Sequence, residues 1–266
     1  METVDISLLS LLLAFVLLII PVLLSRIYGL GLVRPLLNSV VRMSIQLVLI
    51  GVFLKYLFLW NNVLVNLSWL VVMILVAVFS AIRSSSMRPG KVLAPVFISF
   101  SVATFAIVFY LNVFVVRLDN IFDARYLIVL SGMLLGNSLR GNIVGIDSFY
   151  KSIRKDTKKF LYVLSLGATH HEALLPYLRE SIKLALKPTI ASMATMGIVA
   201  LPGMMTGVIL GGASPEVAIK YQIMIMIGIV VSTIISVVLT IMLTLRVCFT
   251  KYGTLKSGIF VNNGSA

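Results

Sequence analysis

The chain has little of what soluble enzymes are built from. Only 12% of its 266 residues are charged, nine are acidic and two are histidine. One cysteine, Cys248, excludes an intrachain disulfide and a metal cage made of thiolates. None of the acids falls deep in an apolar run, so no aspartate pair is placed for intramembrane proteolysis and a stripped hard cation has no carboxylate nest. There is no G-x-S-x-G elbow. There is no G-x-x-x-x-G-K-[ST] phosphate loop either, because Gly90-Lys91 runs on into Val92. His170 and His171 are adjacent, which turns them about 100° apart on a helix, and His171-Glu172 lacks the second histidine of H-E-x-x-H. The residues give no catalytic constellation, and this chain alone has no site for hydrolysing ATP.

What is abundant is hydrocarbon. The chain is 60% hydrophobic with a mean hydropathy of +1.10, which places it among multi-span membrane proteins. Seven apolar runs have the length of a bilayer crossing: 6–25, 37–59, 63–82, 93–116, 126–146, 189–210 and 219–245. The first has no basic n-region and no small-residue cleavage site, so it reads as a retained helix rather than a signal peptide. The expected fold is all-α: one polytopic bundle over 1–266, with about seven transmembrane helices.

Charge placement orients it. Of the 22 basic residues, all but Lys55, Arg117, Arg125 and Lys220 fall on one side of these spans. The basic side is expected to be cytoplasmic, with the N-terminus outside and the C-terminus inside a cell membrane. The net charge of +13 is then an orientation signal facing anionic lipid, and a nucleic-acid partner is not expected.

The largest hydrophilic segment, about 147–187, lies on that cytoplasmic side. It opens with the basic run "YKSIRKDTKKF", which reads as a solvated face beside lipid. "SLGATHHEALLPYLRESIKLALK" follows. Thr169 and Glu172 form a T-x-x-E capping box that starts a helix at His170. Leu174, Leu178, Ile182 and Ala185 share one face, and Pro176 is expected to break or kink the helix after about two turns. Such an element is either an interfacial lipid helix or a knob for a cytoplasmic partner.

Polar residues deep in spans are functional candidates: Gln46, Asn137, Thr195 and Gln222, with Ser44, Ser131 and Ser138. Their ordinary role is hydrogen bonding between helices. Pro202 and Gly203 in "ALPGMMTGVILGG" should kink or break the 189–210 span. Met204 and Met205 bring thioethers, which prefer soft ions but more often simply pack.

Five stretches together carry a resemblance: "RMSIQLVLIG", "GMLLGN", "SLGAT", "LPGMMTG" and "GASPEVAIKYQIM". In this order, over about residues 30–245, they resemble the small permease family of ABC transporters that includes the bacterial iron-export permease and the plant aluminium-sensitivity membrane protein. The resemblance implies a homodimeric membrane subunit served by a separate nucleotide-binding ATPase, which holds the ATP and Mg. It implies export of a metal ion or chelate, with a nucleotide sugar as the alternative cargo. It makes Gly167, Ala168, Thr169, His170, Glu172, Ala173, Leu174 and Tyr177 the ATPase-coupling residues, with the histidines in the ATPase groove or solvent. Gln46, Asn137, Thr195, Pro202, Gly203, Met204, Met205 and Gln222 become the translocation path. The sequence departs from the family pattern at His170, where a proline is expected. It departs again at Ala191 and Ala194, in place of an aspartate and a lysine. A membrane scaffold that transports nothing is the competing reading.

Overall fold

The computed structural model describes residues 7–85, 87–250 and 253–256. Ten α-helices follow one another among these residues: α1 Leu8–Val16, α2 Ile19–Ile27, α3 Val33–Trp60, α4 Val63–Ser84, α5 Pro89–Tyr110, α6 Ala124–Lys155, α7 Thr157–Ser165, α8 His170–Thr195, α9 Gly203–Leu210 and α10 Pro215–Cys248. A π turn, Leu111–Val116, finishes α5. Six stretches are long and apolar enough to cross a membrane: Leu9–Ile27, Val33–Trp60, Val63–Ser84, Pro89–Val116, Ala124–Lys155 and Pro215–Cys248. They match six of the seven expected spans.

The remaining expected span, 189–210, is not a continuous helix. Helix α8 ends at Thr195, the chain turns through an isolated bridge between Met196 and Ala200, and α9 begins at Gly203. Pro202 has no N–H for a helical bond, and Gly197 sits at φ +86°, where a side chain would be strained. The first crossing is also interrupted, at Leu17–Leu18. Pro21 explains this break, since its ring collides with the carbonyl four residues back, at Leu17.

The core joins α4, α5, α6, α8 and α10 around Leu70, Val78, Phe100, Leu134, Phe149 and Ile241. Helices α1 to α3 stand at the edge. Helix α3 meets the bundle mainly where Phe53, Leu54, Leu57 and Phe58 pack on Trp69, Ala124 and Ile128. At the same end, Asn61 accepts from the Ala124 N–H (2.9 Å), and Asn66 donates to the Phe122 carbonyl (2.9 Å). These bonds tie the α3–α4 turn to the start of α6.

Lipid gives apolar helices no hydrophobic reason to prefer one another over lipid tails. Helices α6 and α10 are held instead by a polar seam. Ser138 meets Ser232 (3.2 Å), Asn142 donates to Ser236 (2.7 Å) and Tyr150 donates to Thr244 (2.7 Å), each pair 94 positions apart. A constant offset means that the two helices run parallel in fixed register. Gly141 and Gly145 make the notch: a Cβ at Gly145 would lie 2.9 Å from Val237 Cγ1, and one at Gly141 would collide with Thr233 Cγ2. Gly136, on the same helix, has open space beside it. Gly141→Val is therefore expected to cost about 1–3 kcal/mol through overpacking, while Gly136→Ala leaves stability unchanged or slightly raised. Thermal unfolding of the two purified variants in the same membrane mimetic checks this.

Candidate functional site

Two regions carry the candidate residues. The first is a cavity of about 590 Å³ between α6, α8, the start of α9 and α10. Helix α6 contributes Asn137, Arg140, Gly141 and Val144, and α10 contributes Gln222, Ile225, Met226 and Ile229. Both sets follow i, i+3, i+4, i+7 spacing, so each is one helix face. Asn137 on α6 and Gln222 on α10 border the same space, at different levels along the helix pair. Pro202, Gly203 and Met204 close one end, and Ser192 and Met196 come from α8.

Of the eight residues expected on the path, five line this cavity: Asn137, Pro202, Gly203, Met204 and Gln222. Met205 lines a neighbouring chamber of about 430 Å³ that shares Met196, Pro202, Gln222 and Met226 with the first. Thr195 lines neither. It is exposed at the end of α8, and its hydroxyl bonds back to the Ala191 and Ser192 carbonyls at 3.2 and 3.3 Å. Gln46 is exposed along a separate apolar cleft between α3, α4 and α6. Ser44 donates to the Val40 carbonyl (3.0 Å), and Ser138 belongs to the α6–α10 seam.

Within the cavity, Asn137 Nδ2 donates to the Met133 carbonyl (2.9 Å). Gln222 is 7% exposed, its Nε2 lies 3.6 Å from Met196 Sδ, and its Oε1 receives no hydrogen bond. Arg140 is the cavity's one charged residue, and no acid lines it. Sequence reasoning counted Arg140 only as part of the basic cytoplasmic side. Its spacing of three from Asn137 was the available signal. Among the described residues no three His, Cys, Asp or Glu side chains converge on a possible ion.

The second region is the segment from α7 to the start of α8. The capping box is present: the Thr169 N–H donates to Glu172 Oε2 (2.8 Å), and the Glu172 N–H donates to Thr169 Oγ1 (3.3 Å). These bonds hold the exposed Glu172 carboxyl below its usual range. Pro176 does not break the helix, contrary to expectation; α8 runs unbroken from His170 to Thr195 through both Pro176 and Pro188. Proline removes one helical bond there, and Ala173 and Leu174, just ahead of it, are pinned in the core.

The expected coupling residues divide. Gly167, Thr169 and Glu172 are exposed, and Ala168 is half-buried. Ala173 and Leu174 are core residues, while Tyr177 packs edge-on to the buried Phe160 ring at 6.4 Å. His170 is half-buried on the wall of an open pocket of about 590 Å³ that Arg246 and Thr250 also line. Its ring stands edge-on to Phe249 at 4.9 Å and to Phe160 at 5.9 Å, and burial lowers its pKa. His171 is exposed. The apolar surface actually offered to solvent here is Tyr162 and Leu166, with Leu166 70% exposed beside the Gly167 turn. The run from Lys151 to Lys159 presents Lys151, Arg154, Lys155, Lys158 and Lys159 outward, as a solvated face should.

With this geometry in hand, comparison with known proteins is informative. Residues 8–249 match the uncharacterised protein family UPF0014. The chain is 35% identical over 217 residues to the "Probable iron export permease protein FetB" of Escherichia coli (strain K12), covering 81% of this chain and 82% of that protein. It is 35% identical over 224 residues to "Protein ALUMINUM SENSITIVE 3" of Arabidopsis thaliana, covering 80% and 77%. It is 29% identical over 221 residues to "UPF0014 membrane protein YjkA" of Bacillus subtilis (strain 168), covering 82% and 86%. No solved structure gives a significant match. The chain is thus a polytopic helical membrane protein and belongs to the UPF0014 family.

Proposed function

We propose that the chain is the membrane half of an ATP-driven exporter in the cell membrane, working as a homodimer with a separate nucleotide-binding subunit and moving a metal in chelated form. One observation carries this reading: α8 is a single rigid element joining the two candidate regions. It starts at the exposed, capped turn Gly167–Thr169 and ends as a wall of the cavity at Ser192 and Met196. Its 26 residues span about 39 Å at 1.5 Å per residue, more than a hydrocarbon core. A push at the cytoplasmic turn therefore reaches the broken end of the helix directly. There the chain has the freedom to open, since the bond ladder stops at Thr195 and restarts at Gly203. This is the arrangement that closure of a partner ATPase needs in order to gate a path. The names of the relatives supply the metal, and the want of a carboxylate nest supports a chelate over a bare ion.

The break also supports the homodimer. Ile198 is 91% exposed and Val199 79%. Gln222, which reaches Met196, lies about 10 Å along α10 from its start, which puts the irregular backbone inside the bilayer depth. Irregular backbone is tolerated there only where protein or a water-filled cavity covers it. A second copy seated on this turn covers it and closes the two chambers.

Two outcomes test the reading. Leu166→Asp and Tyr162→Asp, at exposed positions, should leave the protein folded and monodisperse but abolish co-purification of a stoichiometric ATPase; retention of full ATPase docking and activity in both would show that the coupling surface lies elsewhere. Leu174→Asp, in contrast, should fail to fold, since Leu174 is 3% exposed. Ile198→Cys should form an intermolecular disulfide in native membranes, visible as a dimer on a non-reducing gel. The native Cys248 is buried and should give no background.

A further inference from the structure

We propose that the cavity between α6, α8, α9 and α10 binds a hydroxyl-bearing organic anion, so that the exporter inferred above carries its cargo as such an anion or enclosed in one. Three features lie along this one cavity. The first three N–H groups of α9, at Gly203, Met204 and Met205, precede the first helical bond, which runs from Thr206 to the Pro202 carbonyl at 3.0 Å. Pro202 supplies no side-chain cap, and Pro202, Gly203 and Met204 line the cavity. A helix start of this kind carries roughly half a positive charge and favours anions, as the broken helices of membrane carriers do.

The second feature is Arg140, an exposed residue that lines the same cavity without an acidic partner; among the described residues the one ion pair is Lys151–Asp147, at 2.8 Å. A guanidinium matches a carboxylate or phosphate edge with two parallel hydrogen bonds. The third is Gln222, whose buried Oε1 has no donor. An orphaned acceptor at a cavity wall is satisfied by a ligand hydroxyl. The remaining wall, from Met133, Met196, Met204 and Met226, is apolar and adaptable. A bare hard cation meets in this space a guanidinium and the positive end of a helix, and finds no carboxylate. A chelate hides its cation behind the oxygen-rich, negatively charged surface that these groups recognise.

The test uses the purified full-length protein in phosphatidylcholine nanodiscs, without ATPase or nucleotide, titrated calorimetrically. The probes are citrate, ferric citrate, a nucleoside-diphosphate sugar, ferrous ion, and tricarballylate, which is citrate without its hydroxyl. At least one of the three hydroxyl-bearing anions should bind, and the tightest identifies the source of the anion. Arg140→Gln should weaken it about tenfold or more, the loss expected for one charge-assisted contact, and Arg140→Lys should weaken it less. Tricarballylate should bind more weakly than citrate to the unaltered protein and equally to Gln222→Leu. Size-exclusion profiles and melting curves establish that the variants are folded. Binding of ferrous ion with none of the anions, or undiminished anion binding by folded Arg140→Gln, overturns the proposal. So does loss of binding in phosphatidylglycerol nanodiscs, which would assign the site to a lipid headgroup. The proposal rests on the transporter reading only for calling the ligand cargo. Silent titrations beside a co-purifying ATPase sink this inference alone, and binding without any ATPase partner sinks the transporter reading alone.

Discussion

The register between α6 and α10 is the constraint on which the rest depends. In a soluble protein such a pair would be driven together by water. In lipid it must be held by close approach and by hydrogen bonds that hydrocarbon cannot replace. The notch at Gly141 and Gly145 lets Thr233 and Val237 come within contact of the α6 backbone, and three cross-helix bonds at one offset stop the helices from sliding. A slip of one residue would turn Asn142 away from Ser236 and drive a β-branched side chain into the ridge beside the notch. The same register sets Gln222 about two and a half turns along the helix pair from Asn137, at the other end of the cavity that both line. Helices α6 and α10 stay in contact beyond the notch, at Leu134 beside Gly228 and at Tyr126 beside Tyr221, and the cavity lies along one side of the pair, enclosed by α8 and α9.

The seam also explains why so many buried polar atoms are not functional groups in themselves. Ser138, Asn142, Ser232, Ser236 and Thr244 are all buried and bonded within or across the pair. Their spacing of four along each helix is what a helix–helix joint requires. Asn137 and Gln222 differ because they sit on the neighbouring faces, turned from the joint into open volume.

Much of this was legible in the sequence because hydropathy and period act locally. Six spans, the capping box at Thr169 and Glu172, the Leu174–Ala185 face and the break near Pro202 all follow from the order of residue types. What was not legible depended on tertiary context. The effect of Pro176 was overestimated because the sequence does not say that Ala173 and Leu174 will be held by the core around it. His170 looked like a solvent or partner residue because Phe160 and Phe249, ten and 79 positions away, are brought to its ring only by folding. Arg140 was masked by its charge: arginines near the end of an apolar run usually mark the cytoplasmic side, and only the placement of α8 and α9 makes this one part of a cavity. Gln46 and Thr195 satisfied the rule that polar residues in spans are candidates, yet the chain folds with both away from the cavity.

The unbroken α8 has a mechanical consequence that a helix broken at Pro176 would lack. A hinge near the start of α8 would absorb a small displacement of the Gly167–Thr169 turn as local bending. A continuous helix passes it on, and the first place with freedom to respond is the end that lacks a bond ladder, Met196 to Pro202. That end borders Gln222 and shares a cavity with the N-terminus of α9. The one irregular stretch inside the crossing therefore sits where a rigid lever ends and a binding surface begins. Displacing α8 moves Ser192 relative to Asn137 and Arg140 on α6, within the one cavity that these residues line. On the proposed reading, affinity for an anion in the cavity would follow the position of the Gly167–Thr169 turn, the coupling that pumping requires.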